Sequence, residues 1–117
     1  MRQLEEQKRI DRVQKAVNDL KAVVGVTDAW IDDFNEGAYG FNVDILVNSS
    51  YTCNHRYFLP VNLRKLSAQC GAILRSKHGL RAHVIQSPKK VRDYYSRYWH
   101  VECLTWDDNR IRFDVYA

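Results

Sequence analysis

The chain has 117 residues, of which 45% are hydrophobic and 27% are charged, a balance typical of one folded domain. Its formal net charge of +4 is too small to identify a partner, and its charged N-terminus has no apolar run that could act as a secretory signal or membrane span. We therefore expect a single cytoplasmic domain over residues 1–117, with three widely spaced cysteines as free thiols.

The first predicted element is a helix over residues 3–24, ended by Gly25. Its apolar residues recur at alternating steps of three and four, at Ile10, Val13, Val17, Leu20 and Val24. Such a stripe buries itself either on a sheet of the same chain or against a second copy. Because it covers only about two heptads, it favours the sheet and a monomer over a dimeric coiled coil.

A β-hairpin is predicted next, because residues 39–47 alternate between apolar and polar with a period of two. The first strand of this hairpin covers residues 26–34. A three-residue turn over residues 35–37 places Ile31 opposite Phe41 and keeps the aspartates of the first strand out of the core. A connection of two or four residues would turn those aspartates inward, so the three-residue turn is preferred.

The same turn makes Asp28 and Asp44 cross-strand neighbours on the outer face, with Asp32 one step along and Trp30 between them. Carboxylates placed opposite one another are unfavourable unless water, a cation or a basic side chain intervenes. The three aspartates therefore allow one enzymatic hypothesis, a Mg²⁺-dependent phosphodiester enzyme. A solvated acidic face needs fewer assumptions, so we expect no enzyme, no catalytic residue and no cofactor.

The second half of the chain is predicted to contain a helix over residues 60–77, a strand over 80–85, a short helix over 89–98, and a closing hairpin of strands 100–106 and 111–115. The order of elements predicts an α+β domain: an N-terminal helix, an antiparallel hairpin, a second helix, and further strands that complete a largely antiparallel sheet with the helices on one face.

Acidic and basic residues are separated along the chain. Residues 22–55 carry five acids and no Lys or Arg, whereas residues 64–97 carry nine Lys or Arg and one acid, Asp93. Either the two halves pack together and neutralise each other, or the second half forms a basic surface for an acidic partner.

The basic segment also contains tyrosines and tryptophan. Lys and Arg neutralise phosphates, and aromatic rings stack on unpaired bases, so this composition favours nucleic-acid binding without enzymatic activity. The spacing of the tyrosines on a helix fits a buried stripe equally well. No P-loop, zinc-finger or helix-turn-helix spacing specifies a binding mode. The residues predicted to contact nucleic acid are Arg64, Arg75, Lys89, Lys90, Arg92, Tyr95, Arg97 and Trp99.

Three further interpretations stay open. The small residues Ala68 and Gly71 on the second helix can receive a phosphate or a neighbouring helix. The protein can also be an adaptor or inhibitor of the kind that mobile elements encode, acting on a nucleic-acid-handling complex, with the acidic hairpin mimicking a polyanion or the basic face covering an acidic patch. Finally, the chain contains two Cys and two His, which are residue types that bind zinc: Cys53, His55, His100 and Cys103. Their spacing argues against a metal site.

Overall fold

The structure is a computed structural model. It describes the backbone of residues 2–35, 40–47, 50–51, 56–58, 62–88, 90–96, 99–105 and 109–117, and the side chains of residues 4–32, 40–47, 62–88 and 109–117.

Two helices and two antiparallel sheets make up the described backbone. Helix α1 spans Arg2–Lys21, and helix α2 spans Leu63–Ala72 and continues into a π-helical turn, Ile73–Lys77. The strands are β1 (Val26–Asn35), β2 (Gly40–Val47), β3 (Ser50–Tyr51), β4 (Arg56–Phe58), β5 (Arg81–Gln86), β6 (Lys90–Ser96), β7 (Trp99–Thr105) and β8 (Arg110–Tyr116). The first sheet has the order β1-β2-β8-β5 and the second β3-β4-β7-β6. The predicted α+β class is confirmed.

The core lies between the helices and one face of the first sheet. Alternate residues of β2 and β8 are buried, together with the apolar stripes predicted for both helices. On α1, Val13, Val17 and Leu20 are fully buried within the single chain, so the helix packs on its own sheet as predicted. The buried residues of α2 and its π-helical turn are Leu63, Leu66, Cys70, Gly71 and Leu74.

Helix α1 ends three residues earlier than predicted. Because the last helical residue is Lys21, Val24 lies in the following turn and is 87% exposed, while Val23 takes the buried position. Gly25 has a φ of 101°, in the left-handed region that favours glycine, and allows the chain to enter β1.

Helix α2 begins later than predicted because Asn62 caps it. The Asn62 side-chain oxygen accepts hydrogen bonds from the backbone N–H groups of Arg64 (3.0 Å) and Lys65 (3.2 Å), which have no partner inside the helix. At the other end, Gly79 has a φ of 65°, and the Leu80 N–H donates to the Leu74 carbonyl at 2.9 Å. The predicted stop at Gly79 is confirmed.

The hairpin of β1 and β2 has a longer connection than predicted. Asn35 pairs with Gly40, which leaves the four residues 36–39 between the strands. Four residues alone would reverse the faces of β1, but a register shift between Ile31 and Asp33 adds one residue to the strand and restores them. The predicted three-residue turn is wrong, whereas the predicted inside and outside faces of residues 28–32 are correct because of this bulge.

The observed register also changes the neighbours of the aspartates. Asp44 lies opposite Trp30, and Asp28 lies opposite Leu46. Ala29 is buried and Asp28 is exposed, as the alternation predicts. The predicted cross-strand pair of Asp28 with Asp44 is therefore wrong.

Two predictions for the second half are also wrong. The segment predicted as a helix over residues 89–98 forms the strand β6, paired antiparallel with β7. Val and Tyr favour strands as strongly as they favour a buried helical stripe, so their spacing did not separate the two. The predicted closing hairpin does not form either, because β7 pairs with β4 and β6 while β8 lies between β2 and β5.

Candidate nucleic-acid interface

The outer face of the first sheet holds an ion-pair network around a buried carboxylate. Asp44, on β2, has a fully buried side chain and lies directly opposite Arg112 of β8. The Arg112 Nε and Nη2 atoms donate to the two Asp44 carboxylate oxygens at 2.6 and 2.9 Å, and Nη2 also donates to Asp32 at 2.9 Å. One arginine from the end of the chain therefore binds two acids of the hairpin.

Arg110 and Trp30 extend this network. The Arg110 guanidinium carbon lies 5.5 Å from the Trp30 ring centroid, and its Nη1 atom is 3.8 Å from Asp44. The indole N–H of Trp30 donates to Asp32 at 3.3 Å. Water, a cation or a basic side chain could relieve the repulsion between the carboxylates, and the structure shows basic side chains in this role. The two halves of the chain thus neutralise each other on this face of the sheet.

The geometry bears directly on the magnesium hypothesis. Arg112 occupies the position between Asp32 and Asp44 that a cation would need. Asp28 accepts a hydrogen bond at 2.8 Å from the backbone N–H of Ala29 and takes no part in the network. Among the side chains that the structure describes, no group of three or more His, Cys, Asp or Glu converges.

A basic surface lies on the opposite side of the sheet, along α2 and its π-helical turn. Residues 62–80 contain four Lys or Arg and no acid. All four cations are exposed to solvent. We call them the α2 basic surface: Arg64, Lys65, Arg75 and Lys77.

The two cations at the start of α2 differ from those at its end. No carboxylate within the described ranges contacts Arg64 or Lys65. Arg75, in contrast, folds back over its own helix, where a Cβ atom on Gly71 would meet its Nη2 atom at 2.5 Å. Its Nη1 atom donates to the Ala82 carbonyl at 2.8 Å. The space over Gly71 is therefore filled by a side chain of α2 itself.

Helix α1 holds the end of α2 in place through Asp19. Its carboxylate lies 2.6 Å from His78 Nε2 and 3.0 Å from Lys77 Nζ. The Arg12 Nη2 atom donates to the backbone carbonyls of His78 (3.1 Å) and Gly79 (3.2 Å). The hydrogen bond from His78, followed by that from Lys77, holds the pKa of Asp19 below its ordinary value.

This pKa predicts how stability changes with pH. A carboxyl whose pKa is lower in the folded protein stabilises it above the unfolded pKa, and the contribution is lost as the pH falls through the lowered value. We expect Asp19→Asn to reduce the urea midpoint of unfolding at neutral pH, and the midpoints of the two proteins to converge in acid. Midpoints that differ equally at all pH values would contradict the assignment.

Two further titratable groups in the described part of the chain, Cys70 and Tyr116, are poorly suited to nucleophilic chemistry. Cys70 is a free, fully buried thiol, and burial raises its pKa to about 11. Tyr116 donates a hydrogen bond to Asp114 at 2.9 Å, which raises the pKa of the phenol. Both groups are protonated at neutral pH, when neither is an effective nucleophile.

The predicted contact residues are distributed unevenly. Arg64 and Arg75 lie together on α2, while Lys90, Arg92 and Tyr95 occupy positions on β6, and Trp99 begins β7. Side chains of the β6 and β7 residues, and all of Lys89 and Arg97, lie outside the described residues. The same holds for the cysteine and histidine side chains considered for zinc.

Lys65 and Lys77 are not among the predicted contact residues, although both belong to the basic segment of residues 64–97. Their exposure follows from the position of the α2 stripe, which turns Leu63, Leu66 and Leu74 toward the core. The position of Lys65 relative to this apolar stripe predicts that its side chain is exposed.

No protein-family model matches the chain, and no curated protein shows significant similarity to it. Neither helix in the described part of the chain combines the length and apolar character needed to cross a bilayer. Functional inference therefore depends on the geometry of the two charged faces.

Proposed function

We propose that the protein is a non-enzymatic module that binds nucleic acid through the α2 basic surface. The observation that carries this proposal is the exposure of four cations along one helical segment that contains no acid. Two cations on the outer face of the first sheet differ, because Arg112 is bound by Asp32 and Asp44 and Arg110 lies 3.8 Å from Asp44. Positive charge is thus available to a polyanion on the helical side.

The spacing of these cations suits a phosphate backbone. Arg64 and Arg75 are eleven residues apart, or about 16 Å along a helix at 1.5 Å per residue. Arg64 and Lys65 can contact phosphates directly, since no carboxylate in the described part of the chain competes for them. Lys77 contributes charge less freely because Asp19 is 3.0 Å away.

The cations after β5 belong to the same proposal. Lys90 and Arg92 occupy alternate positions of β6, an edge strand of the second sheet. We propose that they, with Lys89 and Arg97, add phosphate contacts, and that Tyr95 or Trp99 stacks on a base. Reversing Lys89, Lys90 and Arg92 to Glu tests this extension separately from α2.

The main experiment compares two double variants with the same change in net charge. Arg64→Glu with Lys65→Glu reverses the start of α2, whereas Lys8→Glu with Lys15→Glu reverses exposed residues of α1, where acids alternate with lysines. We expect the α2 variant to lose roughly a hundredfold in affinity for labelled DNA or RNA. Its slope of log affinity against log salt should fall by about two, one for each lost phosphate contact.

The α1 variant is expected to lose less than about fivefold, since only overall charge changes. Circular dichroism and unfolding midpoints establish that both variants are folded. Equal affinities in the two folded variants, or an affinity of the wild type that does not depend on salt, would reject the proposal.

A second candidate function, a protein-binding adaptor or inhibitor, is favoured by the outer face of the first sheet. Trp30 stacks with Arg110 beside the exposed Asp28 and Asp32. Trp and Arg dominate the binding energy of many protein interfaces, and the carboxylates suit a basic partner. A pull-down from native lysate separates the two functions: nuclease treatment removes partners held by nucleic acid, whereas one stoichiometric protein that remains supports the adaptor.

A further inference from the structure

We infer that the nucleic acid recognised by the α2 basic surface is duplex DNA, with α2 lying along the major groove. This inference rests on the proposed function and goes beyond it, because it names the class of nucleic acid. Three features of α2 and its surroundings support it: the distribution of aromatic residues, the size of the exposed side chains, and the placement of the cations.

Neither helix, nor the turn that follows it, contains an aromatic residue. Residues 2–25 and 62–80, which include both helices, contain no Phe, Tyr or Trp. Proteins hold unpaired strands largely by stacking bases on aromatic rings, each worth about 1–3 kcal/mol. Without such rings, the α2 basic surface gains affinity from phosphates alone, and a duplex presents these in a regular, closely spaced array.

The described aromatic residues of the first sheet do not supply the missing stacking surface. Phe41 and Phe113 are buried in the core, and Tyr116 on the outer face is half-buried, donates to Asp114 and lies against the His83 ring. Trp30 lies on the outer face, where it stacks with Arg110 and donates to Asp32. The described side chains of that face include four acids and three arginines, namely Asp28, Asp32, Asp44, Asp114, Arg81, Arg110 and Arg112. A single strand would meet carboxylates there.

Three of the four exposed side chains between the cations of α2 are short, and the fourth is Gln69. Ala68, Gln69, Ala72 and Ser76 follow Lys65 at helical steps of three and four, and all are exposed. A helix with such a slim face fits the major groove of B-form DNA, about 12 Å wide. The deep, narrow major groove of an RNA duplex does not admit it.

The cations flank this slim face at both ends of the helix. Arg64 and Lys65 stand at its start, and Arg75 and Lys77 at its end. In a major groove Arg64 and Lys65 can reach phosphates directly, Arg75 and Lys77 add positive charge at the other end, and Gln69, near the middle, faces the base edges. Its amide can both donate and accept, the pattern that adenine presents there.

The test uses the full-length protein and labelled oligonucleotides of about 20 nucleotides: duplex DNA, one DNA strand of the same sequence, and the RNA duplex. Fluorescence anisotropy is recorded at about 50 and 200 mM salt. We expect duplex DNA to bind at least tenfold more tightly than either of the other two. Preference for the single strand would overturn the inference and place recognition on the aromatic residues of β6 and β7, leaving the proposed function intact.

Tighter binding of the RNA duplex would also overturn it. Absence of binding to all three probes would instead reject the proposed function itself.

Two variants that do not change charge test whether α2 enters the major groove. Ala72→Leu adds bulk to the slim face without changing charge, and Ala22→Leu adds the same bulk to an exposed alanine just beyond α1. We expect Ala72→Leu to weaken duplex DNA binding about fivefold or more while its affinity for single-stranded DNA stays unchanged. Duplex affinities that are equal in the two folded variants would show that α2 does not enter the groove.

Discussion

Replacing Arg112 by Met is expected to destabilise the protein by about 3 kcal/mol. The change keeps most of the aliphatic packing, but among the described side chains it leaves the fully buried Asp44 with Arg110, at 3.8 Å, as its one cation. Removing one partner of a buried ion pair typically costs about 3–5 kcal/mol, and we take the lower end because Arg112 is itself 28% exposed. Urea unfolding followed by circular dichroism measures the difference.

The double variant Asp44→Leu with Arg112→Met is the matched control. Replacing both partners with apolar groups removes the uncompensated charge, so most of the lost stability should return. Asp44→Asn alone should also destabilise the protein, the reverse of what repulsion between Asp28 and Asp44 would give. An Arg112→Met protein within about 0.5 kcal/mol of the wild type would show that the network adds little to stability.

Replacing Leu20 by Ala is expected to cost about 2–5 kcal/mol, whatever the protein concentration. Leu20 is fully buried between α1 and the first sheet, and a large-to-small change in a core loses both transfer free energy and packing. Val24→Ala, four residues on along the same apolar stripe, removes a side chain that is 87% exposed. It should change stability by less than about 0.5 kcal/mol.

The dependence of stability on protein concentration distinguishes burial of Leu20 within one chain from burial in a dimer interface. If α1 paired with a second copy, the melting temperature of the wild type would rise with protein concentration by mass action. We expect no change over a hundredfold range. Sedimentation that shows a tight dimer, dissociated into folded monomers by Leu20→Asp, would contradict burial within one chain.

The parts of the fold that the sequence predicts are those with a local periodic cause. Val13, Val17 and Leu20 recur at helical spacing because one side of α1 is buried, and that side is the same whichever strand lies beneath it. The alternation along β2 and β8 likewise depends only on one face being buried. Gly79 ends α2 because of its own φ.

Strand pairing and register could not be predicted from the sequence because they depend on residues that are distant along the chain. A bulge between Ile31 and Asp33 compensates for a four-residue connection, and neither leaves a clear mark in the sequence. The strand β6 follows from its pairing with β7, which outweighs a helical spacing of tyrosines. The same holds for the candidate site. The sequence identifies the cations on α2, but it does not show which of them lack an ion-pair partner in the folded protein.

The sequence by itself determined that acids and bases are separated along the chain and that α2 carries cations without acids. Only the tertiary structure decided which charges stay exposed. By inserting β8 between β2 and β5, it brings Arg112 to Asp44 across 68 positions and cancels charge on the outer face. Ion pairs form wherever the fold places opposite charges within reach, so the exposure of Arg64 and Lys65 away from the described carboxylates is a property of the folded chain.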